Sequence, residues 1–388
     1  MNWNRGVAWV AFASMLVACG GGGGGETDAG VASGGDGGSS PASPTQIRTD
    51  APIQPALPES SDLMGEAIAS CQRLIAGFEP MVVERCAYSP STSEMVDGFA
   101  QLHADAVASR PLPGRGLEAY ALPPGEITLA GDAIEILSCT VDPLCSGGAC
   151  PSMNAFATTN LVVTQDPLFA SFAEGAAYWG LLVEDAGGDP DAVDADELFE
   201  GLGAIYAAQA RGERWRTVDE ATVSARIAED PFTNDRWVEV MAFLVFHEIG
   251  HSDLGHSIVN HTAAVGPTVV LEAEGRTLTA EETQQLQREI RELKVFTETQ
   301  ADIYAATLLR EAGLSAEGPI VLFTGAMAAY LIASGACSAS MTQAQLFECA
   351  LQRQPNASHP PLDVRATVLH RIVEQGEDLT PMLEAITP

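Results

Sequence analysis

Apolar residues recur every three to four positions in several stretches of this chain, and each stretch predicts an amphipathic helix. These helices fall near 62–78, 92–109, 168–183, 195–211, 233–256 and 286–312. The last reads LQREIRELKVFTETQADIYAATLLREA and stops at Gly313, a residue type suited to ending a helix. Alternation of apolar and polar residues predicts a β-hairpin over 126–137 (EITLA-GD-AIEIL), turning at Gly131-Asp132. A further strand opens at Asn154. Many helices with few strands predict an α+β chain, mostly helical, with a small β-sheet. No charged residue occurs from Gly318 to Phe347. That run is long enough to span a bilayer, and its Gly, Ala and Ser content equally suits a buried helix packed against its neighbours.

The amino end changes the picture of where the chain resides. Arg5 is the only charged residue ahead of an apolar run, Val7–Val17, and Leu16-Val-Ala-Cys19 resembles a bacterial lipobox. That resemblance implies a signal peptide over 1–18, lipidation of Cys19 and a membrane anchor through its acyl chains. Gly20 behind the cysteine favours the outer membrane, facing the periplasm. A plain signal peptide or an uncleaved anchor are the alternatives. Residues 19–61 are rich in Gly, Ser and Pro and predict a flexible tether, leaving 62–388 as the folded domain. Export makes disulfides the natural use of the other cysteines. Cys71–Cys86 and Cys337–Cys349 are the expected local pairs. Cys139, Cys145 and Cys150 share a loop and can form one pair among themselves, and a cysteine metal site there lacks any nearby histidine or C-x-x-C spacing.

With 52 acidic and 19 basic residues the net charge is −33. This argues against nucleic-acid binding and against electrostatic docking on anionic lipid. The densest acidic stretch, Glu184 to Glu200, lacks the alternating carboxylates and central Gly of an EF-hand and reads as a solvated loop.

The chemistry-bearing segment is His247-Glu-Ile-Gly-His251, behind the apolar run Met241–Phe246. On a helix, positions i and i+4 share a face, so both imidazoles can reach one metal ion. Glu248 is then placed as general base toward a water polarised by that metal. Zinc in a hydrolase needs three protein ligands and one open position. A metzincin would continue with Gly at 254 and His at 257, where this chain has Leu254 and Ser257. Downstream, Glu298-Thr-Gln-Ala-Asp302 sets two carboxylates four residues apart on one face. Glu298 can be the third ligand, and Asp302 can accept the ring N–H of a ligand histidine.

H-E-x-x-H followed by E-x-x-x-D is similar to the gluzincin arrangement. Asn154-Ala-Phe-Ala157, leading into Leu161-Val-Val-Thr164, and His359-Pro-Pro-Leu-Asp-Val-Arg365 narrow the resemblance to the HtpX-like minigluzincins. His256, five residues after His251, also recurs in periplasmic members of that family. The resemblance covers roughly 150–370 and implies a mostly helical zincin core whose edge strand, at 157–164, lines the zinc cleft. It implies one Zn2+ held by His247, His251 and Glu298, with Asn154 and Ala157 in the strand that binds an extended polypeptide substrate. His359 would serve as oxyanion donor or as a cap on the resting zinc, and Arg365 would pair with a carboxylate. The alternatives for those two are an ordinary surface turn and a helix-face ion pair. The distance from Asn154 to His247 exceeds the family pattern and predicts an insertion within about 168–235. The activity implied is that of a zinc metalloendopeptidase acting on misfolded envelope proteins. A catalytically silent scaffold, or a zinc hydrolase of cell-wall peptides, are the alternatives.

Overall fold

The structure, a computed structural model, describes residues 61–87, 90–112, 135–140, 155–210, 213–273, 275–323, 360 and 362–384. Helices α1 (Ser61–Arg85) and α2 (Pro90–Ser109) come first, then strands β1 (Glu135–Cys139), β2 (Ala155–Ala157) and β3 (Leu161–Gln165). Six helices follow: α3 (Asp166–Asp185), α4 (Ala195–Ala210), α5 (Glu220–Glu229), α6 (Pro231–Asp253), α7 (His256–Ala273) and α8 (Ala280–Glu311). Helix α9 (Leu362–Leu369) continues into a wider turn at His370–Glu374. The described residues are therefore mostly helical, with a small mixed sheet.

That sheet corrects one expectation. Its strand order is β1-β3-β2, with β1 parallel to β3 and β2 antiparallel to it. Leu161–Gln165 is thus the central strand, hydrogen-bonded on both sides, and among the described residues Ala155–Ala157 pairs on one side only. A strand at 157–164 cannot be an open edge, because β3 is fully buried and already paired along its length. The second arm of the expected hairpin, at Glu135–Cys139, pairs with β3, while its first arm lies outside the described residues.

Helix α6 lies at the centre. Asp230 caps it by accepting from the Phe232 N–H at 3.2 Å, and Pro231 occupies the first turn, where its missing N–H costs nothing. Val240 to Phe246 are all buried, against α2, α3, α8 and the sheet. A helix covered on every side carries no polar stripe, so its sequence is apolar without a break over these residues. The expected helix 233–256 is two helices. α6 ends at Asp253, Gly255 takes a left-handed φ of 67°, and α7 leaves in a new direction from His256. Helix α8 begins at Ala280, six residues ahead of expectation, because Thr279 and Glu282 form a reciprocal capping box. It stops at Gly313, with φ 73°. Helices α5 and α7 have no counterpart in the periodicity: α5 is short and buries only Val223, and α7 is interrupted by Pro267.

Residues 168–235 are occupied by α3, α4, α5 and the start of α6. Helix α3 is buried along most of its length, and the acidic turn between α3 and α4 is exposed. Among the described residues no helix is long and apolar enough to cross a membrane. Of the uncharged stretch 318–347, only 318–323 is described; Leu322 is buried there, and Phe323 packs on Phe172 and Phe243.

Helices α6 and α8 approach most closely at Gly250, where a Cβ would lie 2.9 Å from Cδ1 of Tyr304. Gly250→Ala is expected to cost about 1–3 kcal/mol by pushing the two helices apart. Thermal denaturation would show a lowered Tm, and an unchanged Tm would show that Tyr304 can swing aside.

The cysteines also differ from expectation. The disulfide is Cys86–Cys139, with a Cα–Cα distance of 5.2 Å, and not Cys71–Cys86. Cys71 and Cys86 sit in and just beyond α1, and fifteen residues of helix separate them by roughly 22 Å, far beyond the limit of about 7 Å for a bridge. Cys71 instead faces α7, its thiol donating to the Ser257 carbonyl at 3.9 Å. Cys145, Cys150, Cys337 and Cys349 lie outside the described residues. The observed bridge ties α1 to β1 across 53 residues. Replacing it with a serine pair is expected to destabilise the fold by about 4 kcal/mol on loop-closure grounds, read as a lower midpoint in urea.

Candidate metal centre

His247 and His251 occupy the last two turns of α6 and project from one face, with ring centroids 4.7 Å apart. Their Nε2 atoms are 3.1 Å from each other. From α8, Glu298 brings Oε2 to 3.3 Å from Nε2 of His247 and 3.5 Å from Nε2 of His251. Ligand atoms held tetrahedrally at about 2.0–2.1 Å from one zinc ion lie about 3.3 Å apart. The three separations match that spacing, and the group could bind a metal ion.

The proton positions follow from the hydrogen-bond partners. Gln300 donates from Nε2 to the carbonyls of Met382 (2.7 Å) and Leu383 (3.3 Å), which leaves its Oε1 as acceptor toward Nε2 of His256 at 3.1 Å. Burial, reinforced by the neighbouring His251, holds the pKa of His256 well below its ordinary value, so this ring is neutral. Having donated from Nε2, it presents a lone pair at Nδ1, 2.9 Å from Nδ1 of His251. His251 therefore carries its proton on Nδ1, and its Nε2 lone pair faces the cluster.

A second chain does the same for His247. Arg365, on α9, grips Asp302 through two bonds, Nε to Oδ2 at 2.8 Å and a terminal N to Oδ1 at 2.7 Å. Burial pushes the Asp302 carboxyl up, but the Arg365 guanidinium and the His247 N–H outweigh it and hold it below the usual carboxylate range. Asp302 is fully buried and lies 2.9 Å from Nδ1 of His247. That nitrogen carries the proton, and the Nε2 of His247 is again a lone pair.

Three acceptor atoms thus converge with no donor among them, and a buried cluster of that kind is stable only around a positive charge. A proton is one way to supply that charge. Burial pulls the pKa of His247 down, yet its bonds to Asp302 and Glu298 prevail and raise it to about 9. A divalent cation is the other way to fill the triangle, and the carboxyl end of α6 adds its own negative dipole potential at that point. The donor set fits zinc: two imidazole nitrogens and one carboxylate oxygen.

Glu248 sits beside this triangle, 7% exposed. Burial pushes its carboxyl up from the ordinary range, with His247 and His251 acting against that shift. Among the described residues it is engaged in no hydrogen bond or ion pair, so both oxygens are available to a reacting group.

Two further contacts hold the end of α6 in place. Ser252 donates to the Thr158 carbonyl at 2.6 Å, which fixes the β2–β3 hairpin beside His251. Tyr304 donates to Asp253 at 2.6 Å and lies 3.0 Å from Nε2 of His103, joining α2, α6 and α8. Periodicity gave no hint of Tyr304, His103 or Gln300, because each acts across elements and none belongs to a motif. Ala157 is buried in β2, paired with Val162. Asn154, His359 and Cys19 lie outside the described residues.

No protein-family model matches the chain, and no curated protein or solved structure matches it either.

Proposed function

We propose that this chain is a zinc metalloendopeptidase of the HtpX-like minigluzincin kind, anchored to the bacterial envelope through a lipidated Cys19 and acting on extended or misfolded envelope proteins. The observation that carries this reading is the all-acceptor triangle of His247, His251 and Glu298 with an unengaged Glu248 next to it. A zinc ion there would supply Lewis acidity toward a peptide carbonyl and lower the pKa of a water toward neutrality. Glu248 takes the proton of that water on its carboxylate and hands it to the leaving amine. Asp302 keeps the His247 proton on Nδ1, and His256 with Gln300 keeps the His251 proton on Nδ1, so both Nε2 lone pairs stay directed inward. The β2 edge beside His251 would hold substrate in an extended form by backbone pairing. His359, on the approach to α9, is proposed as donor to the oxyanion.

The test uses the full chain purified in detergent. We expect one zinc per chain by atomic absorption, and cleavage of an unfolded protein such as casein. A chelator should stop cleavage, and added zinc should restore it. A chain holding one zinc that leaves casein intact would sink the peptidase reading, and a chain that takes no zinc would sink the metal site with it.

A further inference from the structure

We propose that Lys294, together with Arg291 on the same face of α8, forms a subsite that binds a carboxylate of the peptide lying in the metal cleft. The inference rests on the peptidase reading and gives that cleft a substrate preference.

Lys294 is the only lysine in the chain. It stands four residues before Glu298, one helical turn away on the same face, and Arg291 stands one turn beyond it. Helical side chains lean toward the amino end of their helix, so Glu298 and Lys294 lie in line along one face of α8, leading away from the metal site. Lys294 is half-buried and Arg291 exposed. Burial pulls the pKa of Lys294 down, while the Glu298 carboxylate pushes it up.

Lys294 stands apart from the exposed arginines because it is half-buried. In a chain of net charge −33, acidic partners are abundant. Arg110, Arg226, Arg236, Arg276, Arg365 and Arg371 all pair with carboxylates. Among the described residues neither the Lys294 ammonium nor the Arg291 guanidinium has such a partner within 4.0 Å. A half-buried ammonium loses hydration, with only the more distant Glu298 carboxylate, itself turned to the histidines, to offset the loss, and a ligand carboxylate would make it up. Lys294 lies about 6 Å along the helix axis from Glu298, and an extended peptide advances about 3.3 Å per residue. The carboxylate therefore belongs one or two residues from the scissile bond.

The same chemistry could come from an Asp or Glu side chain or from the free carboxyl terminus, and the experiment separates them. Zinc-loaded Glu248→Gln chain is titrated with fluorescent decapeptides carrying one Glu stepped along the sequence, each beside its Gln counterpart, with free and with amidated ends. We expect one Glu position to bind about tenfold more tightly than Gln. Lys294→Met should abolish that difference with zinc still at one per chain, and Lys294→Arg should restore it. A preference for the free over the amidated end, lost in Lys294→Met, would assign the subsite to the terminal carboxylate instead. Equal binding of every pair overturns the proposal, because the acidic background of the chain disfavours anionic peptides everywhere else. The two readings fail separately: casein cleavage with equal peptide binding removes the subsite alone, and a Lys294-dependent preference without cleavage removes the peptidase alone.

Discussion

Glu248→Gln is expected to keep one zinc per chain and to lose about three orders of magnitude in peptide cleavage. The substitution preserves size and shape but removes the unengaged carboxylate oxygens beside the metal triangle. Glu248 is not among the three converging ligand atoms, and the hydrogen bonds that direct the histidines run through Asp302, His256 and Gln300. Its replacement therefore leaves metal affinity standing while proton transfer fails. Burial already costs the charged form of Glu248 its hydration, so a neutral amide should fit the site without loss of Tm. Zinc content, Tm and casein cleavage measured on one preparation decide the matter. Full activity in Glu248→Gln would mean that some other group takes the proton, and the assignment of the base would be wrong.

The second large effect is expected at Arg365. Removing its guanidinium in Arg365→Ala leaves the Asp302 carboxylate fully buried with a single partner. Breaking one side of a buried ion pair costs about 3–5 kcal/mol, and losing the partner that orients a ligand histidine weakens metal affinity by about 10–100-fold. Both should appear together, as a lower urea midpoint and a weaker zinc competition constant. Arg365→Lys should recover part of the stability and less of the affinity, since an ammonium cannot make the paired Nε and terminal-nitrogen bonds. It would also give up the stacking of the guanidinium over Phe323. Wild-type zinc affinity in Arg365→Ala would show that Asp302 orients His247 without help.

The local part of the site was legible in the residues themselves. The i, i+4 spacing of His247 and His251 puts their rings on one face in any α-helix, and the same rule aligns Glu298 with Asp302. Helix existence was equally local: the periodic stretches at 62–78, 92–109 and 168–183 each lie within a helix of the structure, and α4 fills 195–210 of the stretch 195–211. Boundaries were less so. The capping box at Thr279 and Glu282 starts α8 six residues ahead of its periodic stretch, because the first turns of that helix are polar on every face. The break at Gly255 was hidden because the apolar pattern runs on through the turn into α7.

What the sequence determined by itself is the helical character of the chain, the pairing of chemical groups within each helix, and the acidic balance of the whole. The tertiary structure alone decided how those helices meet. It set Glu298 3.3 Å from His247, joined His256 to Gln300 across 44 residues, closed Cys86 on Cys139, and made Leu161–Gln165 the central strand. The reason is physical. Spacing within a helix follows from backbone geometry repeated every 3.6 residues, whereas contacts between helices depend on how whole faces pack, as where Gly250 lets Tyr304 close on α6.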